Sequence, residues 1–226
     1  MQLLIYCCGG FGREVMDIAR RLNQRHGRWE GISFLDDGPQ EPRVYGAEVL
    51  PLDRALDRFG ASGMEAAIAN GEPFVRKALR DKLQQAGVRL VSLIDDTAVV
   101  SETASIGAGV VIYPLCFVSG MANIGSNVAM IAGAMVGHDT IVGDNCVLSG
   151  HTNIAGACRI GSESYVGMGT QMKELISVGS STIIGMGSVV YRDIPDEVIA
   201  LGNPCRPMRP NTAKRVFASG KNDSDK

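Results

Sequence analysis

Apolar residues recur at every sixth position through the second half of the chain. From Ile94 onward, the first residue of each six-residue block is aliphatic or methionine in seventeen consecutive blocks: Ile94, Val100, Ile106, Ile112, Val118, Ile124, Met130, Val136, Val142, Leu148, Ile154, Ile160, Val166, Met172, Val178, Ile184 and Val190. A period of six fits neither an α-helix nor a hairpin, but it fits a short strand and a corner repeated many times. The pattern therefore predicts a stacked repeat domain with these residues in its interior.

Two other positions of the block carry restricted residue types. The second position is often glycine, which we expect to supply turn backbone: Gly107, Gly125, Gly137, Gly143, Gly161, Gly167, Gly179 and Gly185. The fifth is usually small, which lets the chain pass a crowded corner: Ala98, Ala104, Cys116, Ala122, Ala134, Thr140, Cys146, Thr152, Cys158, Ser164, Thr170, Thr182 and Ser188. No insertion interrupts the register.

The first 93 residues follow a different pattern, in which strand-like and helix-like segments alternate. The strand LLIYCC is followed by a turn containing Gly9, Gly10 and Gly12 and then by a segment with helical spacing of its apolar residues. A second strand, GISFLDD, and further strand and helix signals follow. This alternation predicts a small βαβ unit with a parallel sheet.

The glycine turn and the acids after the second strand are candidate ligand-binding groups. Helix amides after such a turn are well placed to hold a phosphate, although the spacing of the dinucleotide fingerprint is absent. Asp36 and Asp37 stand where folds of this class hold a nucleoside. The alternatives are a tight turn without a ligand and a solvated pair of acids.

Composition narrows the class of protein. The 226 residues are 45% hydrophobic with a net charge of -2, without the basic stripe that nucleic-acid binding requires. From Thr103 to His138 no charged residue occurs, but glycine, serine, asparagine and proline break this stretch, so we expect no membrane span. The first residues do not resemble a signal peptide, and the six cysteines form no CxxC pair, so we expect a cytoplasmic protein with reduced thiols.

The order of these parts resembles a family of bacterial sugar acetyltransferases with hexapeptide repeats, which includes bacillosamine and perosamine N-acetyltransferases and sialic acid O-acetyltransferases. The resemblance rests on the glycine turn, FLDD, IANGEPFVRKAL, the hexapeptides and LGNPCRPMR, over residues 1 to about 210. It implies a left-handed parallel β-helix with three hexapeptides per coil, a homotrimer, and acetyl-CoA in the groove between neighbouring helices. In members that use nucleotide sugars, the glycine turn and the acids matching Asp36 and Asp37 bind the nucleoside diphosphate.

The same resemblance assigns the chemistry. His138 and Asp139 match the family's catalytic base and the carboxylate that orients it, in VGHDTIVG. Gly156, one coil further on, matches the backbone donor to the thioester carbonyl and leaves room for the acetyl group. Ala157 and Arg206 are further candidates for binding the coenzyme.

Several residues depart from the family pattern or have no assigned role. Cys7 and Cys8 stand where a Gly-Ala pair is common, and Phe11 where many members carry histidine. Some members carry a second histidine at the position of Val147; here His151 follows nearby at a different corner, with its role open. His26 lies in a polar segment that we expect at the surface.

We therefore expect an α/β N-terminal domain followed by an all-β left-handed parallel β-helix: residues 1–93 bind a nucleotide sugar, 94–192 form the acetyltransferase domain, and 193–226 form a C-terminal tail, polar and frayed from about Asn211. The expected function is acetyl transfer from acetyl-CoA to an amino group of a nucleotide-linked amino sugar in surface glycan biosynthesis, without a metal. Alternatives are a sugar or sialic acid O-acetyltransferase and a non-catalytic trimeric nucleotide-binding scaffold. A γ-class carbonic anhydrase would need three zinc-binding histidines, and the repeat has two.

Overall fold

The computed structural model describes residues 1–38 and 41–217, and their first part folds as a parallel sheet between helices. Its elements are β1 Gln2–Tyr6, α1 Gly10–His26, β2 Gly31–Leu35, β3 Arg43–Val44, β4 Ala47–Leu50, α2 Leu52–Phe59, a 3₁₀ turn Ala61–Gly63, β5 Met64–Ile68, α3 Pro73–Gln85 and β6 Arg89–Leu90. The sheet order is β3-β4-β2-β1-β5-β6, parallel except for the β3–β4 pair. The predicted βαβ unit is confirmed, with β1 at the centre of the sheet.

The second part is a parallel β-helix of two-residue strands. They are β7 Leu93–Ile94, β8 Val99–Val100, β9 Ser105–Ile106, β10 Val111–Ile112, β11 Phe117–Val118, β12 Asn123–Ile124, β13 Ala129–Met130, β14 Met135–Val136, β15 Ile141–Val142, β16 Val147–Leu148, β17 Asn153–Ile154, β18 Arg159–Ile160, β19 Tyr165–Val166, β20 Gln171–Met172, β21 Ser177–Val178, β22 Ile183–Ile184 and β23 Val189–Val190. From β7 to β20, each strand pairs with the strand eighteen residues later, as Val136 does with Ile154. Three six-residue blocks therefore make one coil.

The strands form three faces, which we call sheet I (β7, β10, β13, β16, β19, β22), sheet II (β8, β11, β14, β17, β20, β23) and sheet III (β9, β12, β15, β18, β21). The edges between them are corner I/II, corner II/III and corner III/I. The second residue of each strand points inward, and from Ile112 to Val190 all of these residues are buried. The periodic aliphatic positions thus form the core of the β-helix, as predicted.

The glycines at the second position have a different role from the one predicted. Their φ angles are not positive, so no turn requires glycine there. A Cβ at Gly137 would instead lie 2.6 Å from the backbone of Ala155 and Gly156 in the next coil. Close stacking of coils therefore selects glycine at this position.

The left-handed backbone conformation lies at the fourth position of the block, from residue 109 onward. Most of its residues are not glycine: Gly109, Leu115, Met121, Asn127, Gly133, Asp139, Asn145, His151, Ala157, Glu163, Gly169, Leu175, Ser181 and Gly187. The small fifth residue then turns into the corner interior, where Thr140 and Cys158 are fully buried.

The N-terminal part packs on the earlier coils of sheet I and reaches both corners beside it. The outward residues Val111, Ala129 and Val147 of sheet I are buried, whereas outward residues of the other two sheets remain largely exposed. Arg76 of α3 is fully buried and reaches corner III/I, where its Nε and Nη2 donate to the backbone and side-chain oxygens of Asn127, both at 2.9 Å. Burial lowers the pKa of Arg76 to about 10. Corner II/III is the edge opposite this contact.

The segment after the coils is more ordered than the tail that the sequence suggests. β24 Val198–Leu201 pairs with β22 and forms an antiparallel pair with β25 Arg206–Pro210. The backbone N–H groups of Val216 and Phe217 each donate to the carboxylate of Glu72 at 2.8 Å, because the chain folds back over the start of α3. Fraying from Asn211 is therefore wrong up to Phe217, and residues 218–226 lie outside the described residues.

Two further observations bear on the predictions from composition. Within residues 1–38 and 41–217, no helix is long and apolar enough to cross a membrane. All six cysteines are free thiols.

Candidate functional site

His138 and Asp139 occupy corner II/III as the third and fourth residues of their block. The Nδ1 of His138 lies 2.7 Å from a carboxylate oxygen of Asp139. Because an ionised carboxylate only accepts, Nδ1 carries the proton and donates it, which leaves the lone pair on Nε2. The His138 side chain is 67% exposed, so Nε2 is accessible to a substrate. Asp139 has φ +58°, a conformation that aspartate tolerates better than most residues.

Gly156 lies one coil above His138 on the same corner. A Cβ there would be 2.5 Å from Nε2 of His138, so the imidazole lies across this glycine. Glycine at this position therefore makes room for the histidine ring. Among the residues that the structure describes, the Gly156 N–H finds no acceptor, whereas the Ala157 N–H donates to the carbonyl oxygen of His138 at 2.7 Å.

A groove runs along sheet II beside this corner, on the side of the later coils. Its lining combines apolar and polar side chains: Met135, Asn153, Ile154, Ala155, Gln171, Met172, Lys173, Glu174, Val189 and Tyr191. Arg206 lies beyond its far end, since the preceding Cys205 donates its backbone N–H to Val189. Within the described ranges, the guanidinium of Arg206 donates only to the carbonyl of Cys205, and it is exposed. A cation thus lies at the end of a groove that starts beside His138.

The glycine turn lies between β1 and α1, and its three glycines face different surroundings. Gly9 and Gly10 are exposed, and apart from the adjoining backbone no atom of the described residues lies within 3.5 Å of a Cβ built at either. A Cβ at Gly12 would lie 2.0 Å from the carbonyl oxygen of Cys7, so Gly12 permits the close approach of α1 to β1. No side chain caps the N-terminus of α1 within the part of the chain that the structure describes. Its first amides are therefore available to an anion.

Cys7 stands at a position with a positive φ of 82°, where glycine would be unstrained. Its thiol accepts a hydrogen bond from the Asn70 amide at 3.5 Å. Burial raises the pKa of Cys7, and it raises that of Cys8 to about 11 with the help of Asp36. Both cysteines are therefore neutral thiols at pH 7.

Asp36 and Asp37 each bind other parts of the protein. The Asp36 carboxylate accepts the backbone N–H groups of Cys8 and Gly38, both at 3.1 Å. Asp37 accepts the N–H of Leu52 at the start of α2, the Tyr6 hydroxyl and the Lys82 ammonium. Burial acts to raise the pKa of Asp37, but these hydrogen bonds and Lys82 outweigh it, so the pKa is below its usual range. Burial and Asp37 together raise the pKa of Tyr6.

The structure separates the two candidate sites. The glycine turn is fixed at corner I/II, where the Phe11 and Tyr113 rings stack at 5.6 Å and the Tyr113 hydroxyl donates to Glu14 at 3.2 Å. His138 is on a different corner, so one chain does not bring its glycine turn and His138 together. His151 lies on corner I/II and is exposed. His26 ends α1 at the surface, as predicted, 3.3 Å from Asp96.

The groove residues of sheet II are not among the residues predicted from the sequence, although the repeat contains a signal for them. The residue before each buried aliphatic points outward, and reading the repeat in steps of eighteen would collect Met135, Asn153 and Gln171 into one column. No pattern marks Arg76 or Lys82, whose partners are distant in sequence. No group of three or more possible metal ligands occurs among the described residues.

Comparisons with known proteins agree with this architecture. Residues 2–83 match the family model of the PglD N-terminal domain. The acetyltransferase domain of PglB from Neisseria gonorrhoeae, also solved with acetyl coenzyme A, is 30% identical; the match covers 92% of this chain and 99% of that chain, with a TM-score of 0.84. Among curated proteins, no sequence matches this chain.

Two further solved structures are similar over nearly their whole length. One is perosamine N-acetyltransferase from Caulobacter crescentus, a mutant in complex with CoA and GDP-perosamine: 28% identity, TM-score 0.84, covering 92% of this chain and 97% of that chain. The other is WeeI from Acinetobacter baumannii: 26% identity, TM-score 0.86, covering 92% and 100%. The prediction of an α/β domain followed by a left-handed β-helix is confirmed.

Proposed function

Since this chain belongs to the family of bacterial sugar acetyltransferases and is an acetyl-CoA-dependent acyltransferase, we propose that its acceptor is an amino group of a nucleotide-linked amino sugar in surface glycan biosynthesis. The observation that carries the proposal is the exposed imidazole of His138, with Nδ1 bound to Asp139 and Nε2 free beside Gly156. Such a pair is arranged to accept a proton from an acceptor held next to it.

His138 moves one proton in each direction during the reaction. As the acceptor nitrogen attacks the thioester carbonyl carbon, the C–N bond forms and Nε2 takes a proton from that nitrogen. Asp139 stabilises the resulting imidazolium. When the C–S bond breaks, Nε2 returns the proton to the departing sulfur, so the products are an acetamide and a free thiol and His138 is neutral again.

The Gly156 N–H is the proposed donor to the carbonyl oxygen as it becomes an oxyanion. Its N–H has no acceptor within the described residues, whereas the Ala157 N–H donates to the carbonyl oxygen of His138. An amide already aimed at the developing charge stabilises the transition state. The sheet II groove and Arg206 would hold the remainder of acetyl-CoA, with Arg206 and Lys173 as cations for its phosphates. Ala157 would line the site, but its amide would not bind the coenzyme because it already donates to His138.

The glycine turn is the proposed site of the acceptor's diphosphate. The uncapped amides at the start of α1 and the open space at Gly9 and Gly10 suit an anion. Gly12 contributes by bringing α1 close to β1. Asp36 and Asp37 shape the adjoining surface, and their oxygens keep lone pairs for a ribose hydroxyl.

We place the active site between subunits of a homotrimer. Exposed apolar side chains concentrate on sheet II and its two corners: Val99, Leu115, Phe117, Met121, Met135, Met168, Leu175 and Met186. A surface of this kind needs covering. If it packs head to tail around a threefold axis parallel to the β-helix, corner I/II of one subunit meets corner II/III of the next. A subunit's glycine turn then faces its neighbour's His138.

The heights of these groups along the β-helix fit this assembly. Tyr113, which stacks on Phe11 beside the glycine turn, precedes His138 by 25 residues, and one coil contains 18 residues. With neighbouring strands about 4.8 Å apart, the turn lies about 7 Å below the base. An acceptor bound through its diphosphate at the turn could extend upward to His138, while acetyl-CoA enters from the later coils.

The experiment that tests the proposal is a thiol-release assay with acetyl-CoA and a panel of nucleotide-linked amino sugars, the matching nucleotide-linked neutral sugars and free sialic acid. Acetylation of an amino sugar alone is the expected result. Turnover only with hydroxyl acceptors would make the protein an O-acetyltransferase, and nucleotide binding without coenzyme A binding would make it a scaffold. Light scattering should show a trimer. The free thiols and the use of acetyl-CoA support a cytoplasmic location.

A further inference from the structure

His151 occupies a position where glycine would be easier to accommodate. It is the fourth residue of its block, with φ +56°, and three of the four other residues that have this conformation on corner I/II are glycine: Leu115, Gly133, Gly169 and Gly187. A histidine in this conformation costs backbone strain that glycine avoids. Its side chain is nevertheless exposed, and the core of the β-helix does not need it.

The rings of His151 and His138 lie at nearly the same height along the axis of the β-helix. A Cβ at Gly133 would lie 2.6 Å from Nδ1 of His151, so this ring lies over the coil below. His138 lies over Gly156 in the coil above. If each ring lies halfway between its own residue and the glycine that it covers, the two midpoints are five residues apart along the chain. Because one coil has eighteen residues and neighbouring strands are about 4.8 Å apart, this corresponds to a height difference of about 1.3 Å along the axis.

The corners that carry these rings are the two that flank the apolar sheet II. Within one chain the width of that sheet separates them. In the trimer described above, corner I/II of one subunit lies against corner II/III of the next. The two imidazoles then face each other across the interface at one level, with Gly156 directly above His138.

We propose that His151 of each subunit is a catalytic hydrogen-bond donor in the active site of its neighbour. It donates an N–H to the carbonyl oxygen of the acetyl group as that oxygen becomes an oxyanion, opposite the Gly156 N–H of the subunit that supplies His138. This inference rests on the proposed function and on the homotrimer. It gives the oxyanion two donors, one from each subunit.

The first test replaces His151 with glycine, the residue found at equivalent positions of the same corner. Because His151→Gly relieves backbone strain, the trimer should form and melt no lower than the wild type. We expect kcat to fall about 100-fold, the usual loss for one oxyanion donor, with a much smaller change in KM. Glu163→Gly, at the same block position on corner III/I, is the matched control and should keep kcat within about twofold. Unchanged kcat in His151→Gly would overturn the proposal.

The second test asks which subunit supplies His151. Trimers assembled from equal amounts of His138→Ala and His151→Gly subunits contain some sites with an intact His138 from one subunit and an intact His151 from the next. If His151 acts across the interface, activity should recover to about a quarter of the wild type, far above either variant alone. No recovery would mean that each site uses both histidines of one chain, which contradicts the proposal.

A third measurement does not depend on activity, so it separates this inference from the proposed function. A chain carrying both Asp139→Cys and His151→Cys should be joined by a short bismaleimide into covalent dimers and trimers, while the wild type and each single variant should not. Cross-linking in a protein that acetylates no sugar would leave the corner contact standing and remove the proposed function. Absence of cross-linked trimers would overturn the contact and the role of His151 with it.

Discussion

The His138 corner and the glycine turn use their polar groups in opposite ways. At the corner, the His138 side chain makes one hydrogen bond among the described residues, to its neighbour Asp139, and remains largely exposed. At the turn, Asp36 and Asp37 accept hydrogen bonds from four different segments of the N-terminal part: β1, the glycine turn, α2 and α3. The corner therefore presents unsatisfied groups to a substrate, whereas the acids at the turn mainly hold the site in shape.

This difference follows from the two architectures. In the β-helix, hydrogen bonds between stacked backbones and the packing of buried small residues stabilise the fold. An exposed corner side chain is therefore free for chemistry. In the α/β part, loops of unequal length meet at the sheet edge, and carboxylates are needed to satisfy their amides. Substitutions at the corner should change rate with little loss of stability, and most substitutions at the turn should do the reverse.

The largest expected effect is the loss of turnover in His138→Ala. Losing a positioned base should lower kcat by about 100-fold to 10,000-fold while the melting temperature and acetyl-CoA affinity stay near those of the wild type. Steady-state kinetics and calorimetry on the same preparation check both parts. Asp139→Asn should cost less, because the imidazole remains. Near-normal turnover in His138→Ala at neutral pH would show that the corner is not the catalytic site.

The second largest expected effect is a difference in stability between substitutions of two glycines in the same turn. Gly12→Ala would place a Cβ 2.0 Å from the carbonyl oxygen of Cys7, so we expect a loss of about 3 kcal/mol in stability. Gly10→Ala points into open space; it should keep stability within about 1 kcal/mol of the wild type and raise KM for the acceptor. Chemical denaturation and acceptor titration compare the pair. Equal stability of the two variants would contradict the close-contact role of Gly12.

Much of the fold was predictable from the sequence because one rule, the six-residue period, places each inward side chain from Ile94 to Val190. The same rule led to a wrong prediction for the second-position glycines, because a period does not distinguish a glycine required by a turn from one required by close stacking of coils. At the N-terminal end, the strands and helices were predictable, but the partners of Asp37 were not. Lys82 lies 45 residues away and Leu52 lies 15 residues away, and only the packed sheet brings them together.

For the candidate site, the sequence could place His138, Asp139 and Gly156 on one corner because they are one or eighteen residues apart. It could not show that the imidazole fills the space over Gly156, because this depends on the direction of a side chain. It also gave no reason to set the glycine turn and His138 on different corners, which follows from how α3 and Phe11 dock on the β-helix.

A third prediction uses the contact between Gly156 and His138. In Gly156→Ala the new Cβ would lie 2.5 Å from Nε2, so the ring must move away from its present position. A displaced base should lower kcat by about 10-fold to 100-fold, less than complete removal of the imidazole. KM for acetyl-CoA and the melting temperature serve as readouts of the groove and the fold. A variant that lost stability but kept its turnover would show that Gly156 serves coil stacking alone.

The smallest expected effect is that of Asp37→Asn, and it should depend on pH. The pKa of Asp37 is lower in the folded protein than its unfolded value of about 3.9, so the ionised carboxylate stabilises the fold above that pH, and this contribution is lost as the pH falls through the folded pKa. The Lys82–Asp37 pair is partly exposed, with 47% and 35% of the side chains accessible, so solvent screening limits the loss in the variant to about 1 kcal/mol. The difference in unfolding free energy between wild type and variant should therefore be present at pH 7 and shrink as the pH falls below the unfolded pKa and through the lower folded pKa, while kcat changes little. Asp57→Asn, an exposed acid on α2, is the control and should show no comparable difference. A loss of acceptor binding without a loss of stability would reverse the comparison, because Asp37 would then act on the ligand as His138 does.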